Sequence, residues 1–224
     1  SLLLLPYFNK PLGKCLRQEQ WERIPQHQSP FVSDTQRDQH LKDLALFASR
    51  RDAPVRMRLL GRLGAGKTRL ALEAFRLKGM RERTIYAPDP ESVPPELFAR
   101  LKSDPVSSSI IVVDDCAGET DSKLNLQAEI CEGRVRLVTI GPGEPFLSAL
   151  SPNHLFIDLL DDQSMNKLLQ DRFKTLSLDQ LSWIVRVSGG FPKLAVACGE
   201  ALALRPDIDI TRLTQAAEIH DILE

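Results

Sequence analysis

Gly61-Arg62-Leu63-Gly64-Ala65-Gly66-Lys67-Thr68 satisfies the pattern G-x-x-x-x-G-K-[ST] at every fixed position. Each fixed residue type answers a physical need of a loop that cradles phosphate. Glycine lets the backbone curl with its N–H groups turned inward and keeps side chains out of the anion's way. The helix expected from Thr68 aims the positive end of its dipole at the same point. Lys67 brings a full positive charge to the terminal phosphates, and the Thr68 hydroxyl is a natural Mg²⁺ ligand. Gly61, Leu63, Gly64, Ala65, Gly66, Lys67 and Thr68 are therefore the candidate cradle for ATP or ADP. Arg62 and Arg69 flank it, placed to touch the nucleotide or a neighbouring subunit.

The flanks of this loop have the right character. Residues 55–60 alternate Met57 and Leu59 with Arg56 and Arg58 before closing on Leu59-Leu60, which predicts a strand. Beyond the loop, Leu70, Ala71, Ala74, Phe75 and Leu77 share the inner face of an expected helix, with Gly79 as its C′ residue. Residues 84–87 predict a second strand, and the nearly pure β-branched run of 109–113 a third, buried on both faces. Residues 135–140 and 155–159 supply two more. A proline-rich loop over 88–95, a short helix over 96–102 and a helix over 124–132 ending at Gly133 lie between them. Strands alternating with helices imply right-handed βαβ units and a mostly parallel sheet.

After Leu160 the periodicity is helical only. Met165, Leu168 and Leu169 share one face, as do Leu181, Ile184 and Val185. Pro192 can open a helix with Leu194, Ala195, Cys198 and Leu202 inward, and a last helix is expected from about residue 210. On the N-terminal side, Ser33-Asp34-Thr35-Gln36 matches a capping box ahead of Leu41, Leu44, Ala45 and Ala48. Residues 1–30, with prolines at 6, 11, 25 and 30, read as an irregular arm. The expected fold is α/β: a P-loop NTPase three-layer αβα domain over 31–160, then a small all-helical subdomain over 161–224.

A phosphate loop needs a carboxylate at the end of a neighbouring strand to hold the metal's water shell. Ile110-Ile111-Val112-Val113-Asp114-Asp115 supplies it. Asp114 is the expected metal partner together with Thr68, while Asp115, one step on, is placed to polarise an attacking water beside Lys67.

Composition narrows the class. Net charge is −1, so nothing global steers the chain toward nucleic acid or a membrane. Arg50-Arg51 and Arg81-Glu82-Arg83 read as solvated charge without interleaved aromatics, so a nucleic-acid partner is not expected. Cys15, Cys116, Cys131 and Cys198 are scattered without a Cys-x-x-Cys pair, as buried thiols of a cytoplasmic protein would be. The run Leu2-Leu3-Leu4-Leu5 is too short for a membrane span. Trp21 and Trp183 read as packing residues, and the four histidines are scattered. The chain begins without Met and ends inside an expected helix, as a piece of a longer protein would.

Over residues 30–224 the chain resembles the STAND class of signal-transducing P-loop ATPases, relatives of AAA+ proteins that include NACHT and NB-ARC modules. Phe31-Val32 resembles the segment that opens the domain beside the adenine. Asp114-Asp115 resembles the extended Walker B motif. Ser188-Gly189-Gly190-Phe191-Pro192-Lys193-Leu194-Ala195 resembles the G-x-P motif, whose proline packs near the nucleotide. At the end of the strand over 135–140 the family often places a polar residue followed by arginine; here Thr139 is the polar candidate and Gly141-Pro142-Gly143 follows, without arginine. The resemblance implies a regulatory switch with slow Mg²⁺-dependent hydrolysis and nucleotide-controlled homo-oligomerisation through a larger protein, used in defence (including antiviral) signalling or transcriptional control. Two rival classes carry the same loop. An AAA+ motor or loader acting on nucleic acid or protein is one; a small-molecule or nucleotide kinase is the other, against which the all-helical tail argues.

Overall fold

The computed structural model describes residues 14–25, 28, 30–50, 52–77, 79–104, 106–143 and 151–205. These fall in two compact units, one within 14–28, 35–62 and 67–157, the other within 30–34, 63–66 and 158–205.

The first unit is built on a six-stranded sheet. Its strands are β1 (Leu16–Arg17), β2 (Arg56–Leu60), β3 (Thr84–Ala87), β4 (Ser109–Val113), β5 (Val135–Ile140) and β6 (His154–Phe156). They lie in the order β1-β3-β4-β5-β2-β6. Every pairing is parallel except β1 against β3. The expected mostly parallel α/β fold is thus borne out. β3, β4 and β5 are buried at every position, which is why their sequences are dominated by apolar and β-branched residues, with Arg136 and Thr139 of β5 finding buried partners.

Helices cover both faces of the sheet. In this unit they are α1 (Gln18–Glu22), α2 (Thr35–Ser49), α3 (Lys67–Ala74), α4 (Leu97–Ser103) and α5 (Gly118–Glu129). Side chains alternate across a strand, so Ile85, Ala87, Ile111, Val113, Val135 and Leu137 meet Leu97, Phe98, Leu101, Leu124 and Ala128 of α4 and α5. The intervening positions reach the other face. Tyr86 stacks on Trp21 of α1, and the buried Arg136 donates to the Phe47 and Arg50 carbonyls at the end of α2. Those carbonyls are among the four that a helix C-terminus leaves without partners.

Several expectations shift here. Residues 16–22, assigned to an irregular arm, form β1 and α1, because Leu16 and Arg17 pair with Tyr86 and Ile85. α3 stops at Ala74, so Leu77, expected inward, is 58% exposed, and Gly79 (φ +89°) lies in the turn beyond rather than at the cap. α5 opens at Gly118, well before the expected start, with Glu119 and Asp121 favourably placed in its positive first turn. β6 covers His154–Phe156 in place of the expected 155–159. α2 opens at Thr35, and the Ser33 hydroxyl donates to the Asp34 carbonyl at 3.4 Å. Leu41 and Ala45 are only half-buried, while Phe47 is buried with Leu44 and Ala48.

The second unit packs α6 (Asp162–Arg172), α7 (Leu178–Ser188) and α8 (Pro192–Leu204) around Met165, Leu168, Leu169, Leu181, Ile184, Ala195, Cys198 and Leu202, with Val32 among them. The inward faces of these helices are those expected. Asp161 caps α6 by accepting from the Ser164 amide. Ser177 and Gln180 form a capping box on α7, and Gly189, in the left-handed conformation, closes it. Gly199 has no side chain because Phe173 fills the space: a Cβ there would stand 2.3 Å from the ring. The helix expected from about residue 210 lies outside the described residues.

Candidate functional site

The phosphate loop leaves β2 at Leu60 and enters α3 at Lys67, as the strand–loop–helix reading requires. Its glycines have different tasks. Gly61 (φ +149°) runs so close to the β6 side of the sheet that an added Cβ would lie 2.6 Å from the Ile157 carbonyl oxygen. Gly64 (φ +80°) and Gly66 (φ +93°) take conformations that side-chain-bearing residues rarely adopt, and nothing lies within 4 Å of a Cβ built on Gly66. Leu63 is 85% exposed, so only its backbone is available to the loop, and Ala65 is fully buried.

Lys67 is buried at the loop's centre. Its Nζ donates to the carbonyls of Gly61 at 2.9 Å and Arg62 at 2.8 Å, so the ammonium is held within the curl of the backbone. Burial pushes its pKa below the ordinary lysine value, while Asp114 and Asp115 pull the other way.

Thr68 and Asp114 meet. The Thr68 hydroxyl donates to Asp114 Oδ2 at 2.6 Å. The same oxygen accepts from the Tyr86 hydroxyl at 3.1 Å, and Asp114 Oδ1 accepts from the Asp115 amide at 2.9 Å. The Asp114 amide in turn donates to the Ala87 carbonyl, continuing the β3–β4 ladder one step past the strand. Burial and the neighbouring Asp114 carboxylate raise the Tyr86 pKa far above its ordinary value, so this hydroxyl keeps the proton it donates to Asp114. Asp115 is exposed and sits at φ +47°, the left-handed region that Asp tolerates better than most residues. Non-glycine residues in that region gather at functional sites.

Among the described residues no three His, Cys, Asp or Glu side chains gather as a metal cage. One carboxylate beside one hydroxyl fits Mg²⁺ better than a cation needing an all-protein shell, because Mg²⁺ keeps several waters and is completed by phosphate oxygens. The donor set therefore suits a Mg–nucleotide pair.

Other candidates are placed differently. Thr139 is fully buried on the face covered by α5 and donates to Asp121 Oδ1 at 2.5 Å, so it is not brought to the Lys67–Thr68–Asp114 group. Arg69 forms an i,i+4 ion pair with Glu73 at 3.0 Å. Within the second unit, Val32 is buried in the helical core and Phe31 is half-buried. Pro192 occupies the first turn of α8, where its missing N–H costs nothing. The next amide, that of Lys193, donates to the Gly64 carbonyl at 3.5 Å, and a Cβ on Gly64 would touch Lys193 Cβ at 3.4 Å.

Tyr86, Trp21 and Asp121 escaped the sequence reading as site neighbours. For Asp121 a signal existed. Arg56 and Arg58, two apart on a strand flanked by others, both point to one covered face and demand an acid; Asp121 Oδ2 accepts from them at 2.6 and 3.5 Å. Arg58 also donates to the Cys116 carbonyl, just past the acidic pair.

No protein-family model matches the sequence, and comparison with curated proteins finds no match. Solved structures do match. The replication initiation protein DnaA of Thermotoga maritima, domain III, aligns with a TM-score of 0.56 at 13% identity over 86% of this chain and 93% of that one. The Aeropyrum pernix ORC1 protein in complex with DNA aligns at 0.63 and 17% identity over 93% of this chain and 69% of that one. AMPPCP-bound DnaA of Aquifex aeolicus aligns at 0.60 and 13% identity over 84% and 67%. At such identities the likeness is one of fold alone, the mostly parallel α/β sheet covered by helices described above.

Proposed function

We propose that this chain is the ATP/ADP-binding switch module of a STAND-type signalling ATPase. The observation that carries the reading is the convergence of Lys67, Thr68 and Asp114 at the mouth of β2 and β4. Lys67 would exchange its two carbonyl contacts for the terminal phosphates, and the curled backbone of Gly61, Leu63, Gly64, Ala65 and Gly66 would surround them. Thr68 and Asp114 would hold Mg²⁺, which when bound neutralises charge on the phosphates. Asp115 would orient water for slow hydrolysis, and Phe31, Val32 and Pro192 would flank the base and sugar as the family resemblance implies. Support for a regulatory role comes from the Lys193–Gly64 hydrogen bond within the second unit, which ties the Gly64 stretch of the loop to the start of α8. Nucleotide bound by that loop would thereby bias the helical segment, by as much as ATP and ADP differ in affinity for its two arrangements. Domain boundaries at 31–160 and 161–224, assembly through a larger protein, a cytoplasmic setting and a use in defence signalling belong to the same proposal. Among the described residues no helix is long and apolar enough to cross a membrane.

A second reading is favoured by one comparison: a likeness to an ORC1 protein in complex with DNA makes an AAA+ loader acting on nucleic acid the principal rival. Two measurements separate them. A switch should release stoichiometric ADP when the purified protein is denatured, and its ATPase should be slow and indifferent to added DNA. An empty site together with strong stimulation by DNA would overturn the switch in favour of the loader.

A further inference from the structure

The Asp114 carboxylate is held by more donors than a metal site alone requires, and one of them comes from a strand with no motif of its own. β3 pairs with β4 so that Tyr86 stands opposite Val112, and Asp114 follows two residues later on the same face. This register brings the Tyr86 hydroxyl to 3.1 Å from Asp114 Oδ2. The ring cannot easily swing away. Trp21 stacks on it with centroids 4.2 Å apart and planes 3° from parallel, and Trp21 is itself fully buried. Gln18, one turn earlier in α1, anchors that helix to α3 by donating to the Leu72 carbonyl at 2.9 Å.

We infer that Tyr86 is a positioning residue for the metal-holding carboxylate, and that α1 exists to keep it there. The inference rests on the nucleotide-site reading above. Of the three donors on Asp114, Thr68 belongs to the pair that would hold the cation, and its hydroxyl must turn its oxygen toward the metal to serve as a ligand. Tyr86 on Oδ2 and the Asp115 amide on Oδ1 lie outside that pair and keep the carboxylate plane fixed whichever way Thr68 turns. Outer partners of this kind orient a ligand, and their loss weakens metal affinity by about 10–100-fold. The aromatic stack supplies the rigidity that a lone hydroxyl on a flexible side chain lacks.

The test uses Tyr86→Phe, which keeps the ring and the stack on Trp21 and removes only the hydroxyl. Fluorescent ADP is titrated into the parent and the variant with excess Mg²⁺ and with EDTA, and Mn²⁺ binding in the presence of ADP is followed by electron paramagnetic resonance. The expected result is an unchanged affinity in EDTA, a Mg²⁺-dependent gain reduced about tenfold or more, and weaker Mn²⁺ binding. Asp114→Asn in the same assay should remove the gain altogether. A variant that keeps the parent's full Mg²⁺-dependent gain and Mn²⁺ affinity overturns the role given to Tyr86 while leaving the nucleotide site standing. A parent that binds no nucleotide, or binds it without any response to Mg²⁺, overturns both. Loss of affinity in EDTA as well as in Mg²⁺ would show that the hydroxyl holds the loop as a whole, and would overturn the specific role in metal binding.

Discussion

Replacing Asp121 by Ala should cost more stability than any single change at the phosphate loop. Asp121 is 2% exposed, and one of its oxygens accepts from Arg56 at 2.6 Å and Arg58 at 3.5 Å while the other accepts from Thr139 at 2.5 Å. Arg56 and Arg58 are themselves largely covered, at 21% and 12% side-chain exposure, so water cannot fully replace the lost acid. Removing one member of a buried ion pair leaves an uncompensated charge and costs about 3–5 kcal/mol. For a chain of this size, with roughly 2–4 °C of melting temperature per kcal/mol, the variant should melt about 6–20 °C below the parent. Thermal unfolding by circular dichroism at neutral pH measures this. The physical reasoning also predicts a partial rescue when Arg56 and Arg58 are changed to Met alongside Asp121→Ala, because an apolar cluster of similar volume removes the stranded charges. A loss below about 2 °C for the single variant, or no recovery in the triple one, would refute it.

Three further outcomes follow from named contacts. Gly61→Ala forces a Cβ to 2.6 Å from the Ile157 carbonyl oxygen at a φ of +149°, and should cost at least about 2 kcal/mol, read as a lowered urea midpoint. Gly66→Ala meets no neighbour, so its smaller loss should come from backbone strain alone and appear in the same titration. Burial pushes the Cys15 and Cys116 thiols from 9.0 to about 11, with Asp89 and Asp121 respectively adding to the effect. Each folded-state value lies above its unfolded one, so this contribution is whole below about pH 9 and is lost as pH rises through about 11. A Cys15→Ala, Cys116→Ala variant should therefore show a shallower fall in stability between pH 9 and pH 11 than the parent; an identical profile would count against buried neutral thiols.

The parallel sheet was legible because its central strands are covered on both faces. Ser109–Val113 is a nearly pure β-branched run and Val135–Ile140 is mostly apolar despite Arg136 and Thr139, and the structure reproduces the bounds of both. The phosphate loop was legible because its glycines are demanded by local backbone geometry. What the sequence hid depends on contacts made far along the chain. Leu16 and Arg17 become a strand only because Tyr86 and Ile85 offer an edge, and nothing local marks them. Thr139 was chosen for its place at a strand end, but the parity of the strand turns it toward α5, where Asp121 takes its hydroxyl. Asp121 itself lay ahead of the helix expected over 124–132, because Gly118 and Thr120 are weak in helix propensity and hid the true start at Gly118. The acidic pair was visible, whereas the Tyr86 that orients its first member was not: the register of β3 on β4 brings them together, and spacing in the chain does not encode that register.

The central claim is that Lys67, Thr68 and Asp114 form a Mg–nucleotide site, and isothermal titration of ADP with Mg²⁺ into the parent and Lys67→Ala tests it most directly. The ammonium makes two hydrogen bonds to loop carbonyls that phosphate oxygens would replace. Losing charge-assisted contacts worth about 1.5–3 kcal/mol each should lower the variant's affinity at least tenfold. Equal affinity in the two proteins, or no binding by the parent, would contradict the account.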